Sequence, residues 1–150
     1  MSRLIPLVIL FLLGNLLDVA TTYAGMKGAS KEEMEKKELN VLLASHIHNK
    51  KFILAWKFGF STLLIVILLI AALHSNFTYY FNVFKFLTVF IFIIVINNLY
   101  AYWANKKGKL SLGNLLIAKL KFPKVLAFLF LIIIYGLLAF EITYLFFWSY

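Results

Sequence analysis

Four apolar runs set the rhythm of the chain, at about 4–24, 52–73, 81–103 and 125–148, and polar or lysine-bearing segments separate them. Each run is close to the ~20 residues that a helix needs to cross about 30 Å of hydrocarbon. None alternates apolar and polar positions as a barrel strand does, and backbone inside lipid must satisfy its own polar groups, so the pattern predicts helices. The expected fold is an all-α integral membrane protein. It is a bundle of four transmembrane helices with short amphipathic cytoplasmic helices, forming a single membrane domain over 1–150.

The segments between the runs carry helical signals of their own. In "SKEEMEKKELNVLLASHIHNKK", Ser30 and Glu33 have capping-box spacing, acidic residues fill the first turns, and Lys50-Lys51 close the end. Leu39, Leu42, Leu43 and Ile47 fall on one face, which predicts a helix over about 31–48. In "SLGNLLIAKLKF", Leu112, Leu115, Leu116 and Leu120 stand opposite Asn114, Lys119 and Lys121, predicting a helix over about 111–121 that Pro123 ends. Two roles suit both helices equally. They can lie on the inner membrane surface, with basic residues on anionic lipid, or they can cover the inner end of the bundle.

Polar residues inside the apolar runs are the informative exceptions. Asn15, Asp18 and Thr22 lie within about 60° of one another on a helix, forming a polar stripe in the first run. A carboxylate at the bilayer centre costs roughly 2.5–3.5 kcal/mol on insertion scales, so Asp18 needs a partner or a purpose. At 1.5 Å per residue, Asp18 lies ~6 Å past the middle of its span, toward the cytoplasmic side. Lys57, on the returning second span, lies ~8–9 Å to that same side, and Asn97 and Asn98 on the third share the level. Ser61 is one turn from Lys57. Asp18 is therefore expected to face Lys57, with Asn15, Thr22, Asn97 and Asn98 completing a buried polar layer. Such a layer can lock helix register, or it can form a site for an ion, a proton or a polar headgroup. Lys57 can instead snorkel to the headgroups and leave Asp18 protonated. Glu141 falls toward the opposite face of the membrane, apart from this group; it reads as a neutral or interhelix-bonded acid before it reads as a relay.

Charge adds orientation. Lys27, Lys31, Lys36, Lys37, Lys50 and Lys51 occupy the first connection, and Lys106, Lys107, Lys109, Lys119, Lys121 and Lys124 the third. Against these twelve, the other side offers Arg3 and Lys85. The positive-inside rule then places both connections in the cytoplasm and both termini outside, with the short turn 74–82 also outside. The net charge of +9 is thus a topology signal, and nucleic acid is not an expected partner. The six lysines of the third connection are the expected lipid-headgroup contacts. Tyr23, Trp56, Tyr100, Tyr102 and Trp103 suit the inner interface, and Tyr79, Tyr80, Tyr144, Trp148 and Tyr150 the outer one. With 63% hydrophobic residues, the chain exceeds the ~45–50% usual for soluble domains. Arg3, the apolar run and Thr22-Tyr23-Ala24 loosely match a secretory signal, but the run is long enough to span and is read as retained.

Other chemistry is thin. No cysteine is present, which excludes disulfides, thiol catalysis and thiolate metal sites. His46 and His48 point about 200° apart on a helix, so they do not form a shared metal site. Lys57 and Ser61 have the i,i+4 spacing of a Ser–Lys dyad, without an oxyanion donor or third group. No glycine-rich phosphate loop occurs, and neither a metal nor a cofactor is expected.

"NLLDVATT", followed by "ELNV", resembles a family of small prokaryotic membrane proteins catalogued only as a domain of unknown function. Its motifs are N-x-x-D-x-x-x-T in the first helix and E-x-N-P downstream. Asn15, Asp18 and Thr22 match the first, and Glu38 and Asn40 the second, with Val41 in place of the proline. Lys57 and Asn98 resemble polar positions of its second and third helices, and the likeness extends over about 4–103. The resemblance implies no established activity, but it suggests that Glu38 and Asn40 fold back against the helix-one stripe. The expected function is that of a non-catalytic accessory or assembly protein with a buried polar layer. A small ion- or proton-coupled transporter using Asp18 is the alternative, ahead of a lipid-modifying enzyme. Expected partners are anionic inner-leaflet lipid and either further copies of the chain or a larger membrane complex.

Overall fold

The structure, a computed structural model, describes residues 4–38, 40–74 and 77–147. Arg3, Leu39, Trp148 and Tyr150, and the tip of the expected turn 74–82, lie outside the described residues. The described chain is all-helical: α1 (Leu4–Gly25), α2 (Lys31–Lys37), α3 (Val41–Ala44), α4 (Lys50–His74), α5 (Phe77–Lys106), α6 (Leu112–Ala118) and α7 (Lys124–Phe147). α1, α4, α5 and α7 are long and apolar enough to cross a membrane, as befits a membrane protein. Helix extends beyond the apolar runs at both ends of α5. Phe77–Asn82, expected in a turn, forms its first turns, and its last residue is Lys106.

Helix ends follow local chemistry. Pro6 sits in the first turn of α1, where a missing N–H breaks no helical bond. Pro123 immediately precedes α7, and its carbonyl accepts from Ala127 N at 2.9 Å. Ser30 and Glu33 form the complete capping box of α2, with Ser30 N donating to Glu33 Oε2 at 2.9 Å.

α5 is the central element, packed on α1, on α7 and on α4, while α1 also packs on α4. α1 and α5 run in the same direction, and α4 and α7 run against them. α1 and α5 pack tightly at Gly14, where an added Cβ would stand 2.6 Å from Ile91 Cγ2. Without a hydrophobic drive between helices in lipid, small residues at such crossings let backbones come close enough for dispersion to hold them. One apolar cluster, with Phe11, Ile65, Phe84 and Ile91 at its centre, joins α1, α4 and α5. A second, with Val19, Leu43, Ile47 and Ile53, seats α3 and the turn after it on α1 and α4. A third, with Leu116, Ala127, Leu131 and Tyr135, docks α6 on α7.

The connections at the lysine-rich end depart from expectation. In place of a single helix over 31–48 stand two short helices, with Glu38 and Asn40 outside both. Side chains take over the backbone there: Glu38 Oε1 accepts from Asn40 N at 2.7 Å, and Asn40 Oδ1 accepts from Leu42 N at 3.1 Å as the cap of α3. The expected apolar face is accordingly divided. Leu43 and Ile47 are buried, but Leu42 is exposed. α6 is shorter than the expected 111–121; Ser111 caps it, and it ends before Lys119, with Lys121 at φ 54°. Of its expected apolar face only Leu116 is fully buried, while Leu112 and Leu120 are exposed. Lys124 Nζ ties the two connections together by donating to Glu35 O at 2.6 Å, one of the free carbonyls in the last turn of α2. At the other end, Lys85 Nζ donates to Asn82 Oδ1 at 3.1 Å and also to Phe147 O.

Candidate functional site

α1, α4 and α5 converge on one carboxylate. Asp18 is 2% exposed, and its Oδ2 forms an ion pair with Lys57 Nζ of α4. Its Oδ1 accepts from Asn98 Nδ2 of α5 at 2.7 Å, and the same amide donates to Thr22 Oγ1 at 3.1 Å. Asp18 and Thr22 lie four residues apart on one face of α1, so a single α5 amide spans both. Four side chains from three helices thus satisfy one another where an unpaired charge would be costly.

The remaining predicted residues are distributed around this network. Asn15 does not join it: it is buried, and its Nδ2 donates to Phe11 O at 2.9 Å on its own helix. Ser61 is buried one turn from Lys57. The Lys57 ammonium is held by Asp18, so it is not the free amine that a Ser–Lys dyad requires. Asn97, Glu38 and Asn40 line a cavity that Asp18, Thr22 and Lys57 also line. Glu141 is exposed on α7, in the half of that helix remote from the pair. Lys106, Lys107, Lys109, Lys119 and Lys121 are exposed, and Lys107 and Lys109 lie over the Trp103 ring, with Nζ 4.4 and 5.8 Å from its centroid. Tyr23, expected to anchor at the interface, donates its hydroxyl to Ile47 O at 2.7 Å and so ties the first connection to α1. His46 stacks against Phe52, and no group of three His, Asp or Glu among the described residues is placed to hold a metal ion.

The cavity has a volume of about 260 Å³ and is lined by residues of the four long helices α1, α4, α5 and α7, of α6 and of the first connection. Beyond the pair it is lined by Asn105 of α5, Ser111 and Asn114 at the start of α6, and Tyr135 of α7. The Tyr135 hydroxyl is buried without a hydrogen-bond partner among the described residues. Sequence reasoning placed Asn114 on the polar face of α6 but did not gather these four into a site. The available signal was a lone phenol in the middle of an apolar run, together with Ser111 at a helix start. Hydrogen bonding and charge pairing are the chemistry this arrangement offers.

No curated protein and no solved structure matches the chain. The family description of the domain of unknown function DUF5658 matches residues 9–104, which covers α1 from Ile9 through nearly all of α5 and includes Asp18, Lys57 and Asn98. Over that majority of its length, the chain belongs to the DUF5658 family.

Proposed function

We propose that this is a non-catalytic membrane protein of the accessory or assembly type, in which the Asp18–Lys57 pair fixes the register of α1 against α4 and α5. One observation carries the reading: both charges are engaged by protein groups, with Asn98 and Thr22 taking up further hydrogen-bonding capacity. A polar group so satisfied inside an apolar framework specifies one helix arrangement over its neighbours. Glu141 supports the assembly role. It lies on a face with exposed Leu137, Leu138, Tyr144 and Leu145, and a lipid-facing carboxylate is costly until another chain covers it. In this reading the lysine-rich connections lie in the cytoplasm on anionic lipid, both termini lie outside, and the chain works beside further copies or a larger complex.

A transporter using Asp18 is the second reading, favoured by the cavity that borders the pair and by the 24% exposure of Lys57. Reconstituted liposomes separate the two. The accessory reading expects no proton or monovalent-cation flux above that of protein-free vesicles, with wild type and Asp18→Asn alike. Flux that Asp18→Asn abolishes contradicts it.

A further inference from the structure

We infer that the cavity lined by Tyr135, Asn114 and the Asp18–Lys57 pair binds a small neutral polyhydroxyl group, either a free sugar or polyol or the sugar headgroup of a lipid. The charged lining residues cancel, Lys37 and Lys57 against Asp18 and Glu38, so the space favours no net charge. Apart from these, the polar lining is carboxamide and hydroxyl, including Asn97 and Asn105 of α5, Ser111 and Asn114 at the start of α6, and Tyr135 of α7. A carboxamide both donates and accepts, as does a hydroxyl, so this lining complements a ligand whose groups also do both. Ile94, Phe128, Leu131 and Ile132 supply an apolar wall, which suits the C–H face of a sugar ring. The volume of about 260 Å³ lies below the ~300–1,000 Å³ of drug-sized pockets and limits the ligand to about one ring.

Tyr135 points independently to a ligand. It is 9% exposed and lines the cavity, and its hydroxyl has no hydrogen-bond partner among the described residues. Buried polar groups in folded proteins are nearly always paired, so a phenol left unpaired beside a polar cavity is placed to serve whatever enters it. It also makes a clean variant, because Tyr135→Phe keeps the ring against Leu116 and Leu131 and removes a hydroxyl that no described residue bonds.

The test uses the full-length protein in phosphatidylcholine nanodiscs, free of sugar-based detergent. Glucose is titrated in one arm and glucosyl-diacylglycerol is incorporated in the other, with inorganic phosphate as the charged control, and binding is read by calorimetry or native mass spectrometry. We expect saturable binding of at least one of the two glucosyl probes. Tyr135→Phe and Asn114→Leu should each weaken it tenfold or more, while Tyr135→Phe leaves the thermal midpoint of the ligand-free protein unchanged. Binding of glucose identifies a solute site; binding confined to the glycolipid identifies a headgroup site. Failure of both probes, phosphate binding as tight as theirs, or wild-type affinity in Tyr135→Phe overturns the proposal. Neither variant touches Asp18 or Lys57, so the result is independent of the role given to the pair.

Discussion

Asp18 and Lys57 share an ion pair but not an environment. The carboxylate is 2% exposed, whereas the lysine keeps 24% of its side chain open. Left alone, Lys57 has a four-carbon stem with which to carry its charge toward water, while Asp18 is short and enclosed. Among the described residues, Asn98 alone would remain bonded to the carboxylate, so losing the lysine should harm the protein more than losing the acid. Gly14, one turn before Asp18, makes a second residue-scale demand. A Cβ there would meet Ile91 Cγ2 at 2.6 Å, and a β-branched side chain on a helix has little freedom to turn aside. Gly14→Val should therefore lower stability in detergent unfolding by about 1–3 kcal/mol, the usual cost of overpacking, and Ile91→Ala in the same chain should recover part of it. Wild-type stability in Gly14→Val would mean that α1 and α5 are not held this closely. Individual polar residues were largely legible in the sequence because each one interrupts an apolar run. Asn15 was not: it shares the stripe of Asp18 by spacing, but it bonds to a carbonyl of its own helix, a choice that periodicity does not record.

Among the elements, the long helices follow from length and hydropathy alone, since lipid leaves backbone few alternatives. The short ones depend on competition between side chains and backbone. The capping box of α2 is explicit in the sequence and forms as expected, because both its partners lie within one turn. The break at Glu38–Asn40 was hidden by an apolar periodicity that runs straight through it. Asn40 can cap a helix or sit inside one, and the burial of Leu43 and Ile47 against α1 and α4 selects the cap. α6 shows the same dependence at its other end. Leu116 turns into α7, while the expected continuation through Lys119 and Lys121 gives way to a residue at positive φ. Its apolar face is therefore divided, with Leu116 buried against α7 and Leu112 and Leu120 exposed.

At the scale of the whole molecule, the order of packing decides what the sequence could not. Packing α5 on both α1 and α7 brings Asn98 onto Asp18 and sets Asn97 in the lining of the cavity that Tyr135 and Asn114 share. Depth along each span was computable, but which helices are neighbours was not, so the network was legible and the cavity was not. The proposed orientation, with both lysine-rich connections in the cytoplasm, follows from twelve lysines against Arg3 and Lys85. The cysteine-free chain makes it easy to test. Single cysteines replacing Lys31 and Lys109 should resist an impermeant maleimide in intact cells and react after permeabilisation; labelling from outside would reverse the topology. The central claim is that the Asp18–Lys57 pair locks three helices together, and a double-mutant cycle on unfolding in mild detergent tests it most directly. Lys57→Met should cost about 3–5 kcal/mol, as expected when a buried charge loses its partner, and Asp18→Asn roughly 1–3 kcal/mol, because Lys57 can reach water. The double variant should be more stable than Lys57→Met alone, since no orphan charge remains. A double loss equal to the sum of the single losses would show that the two residues are not partners, and the lock would have to be abandoned.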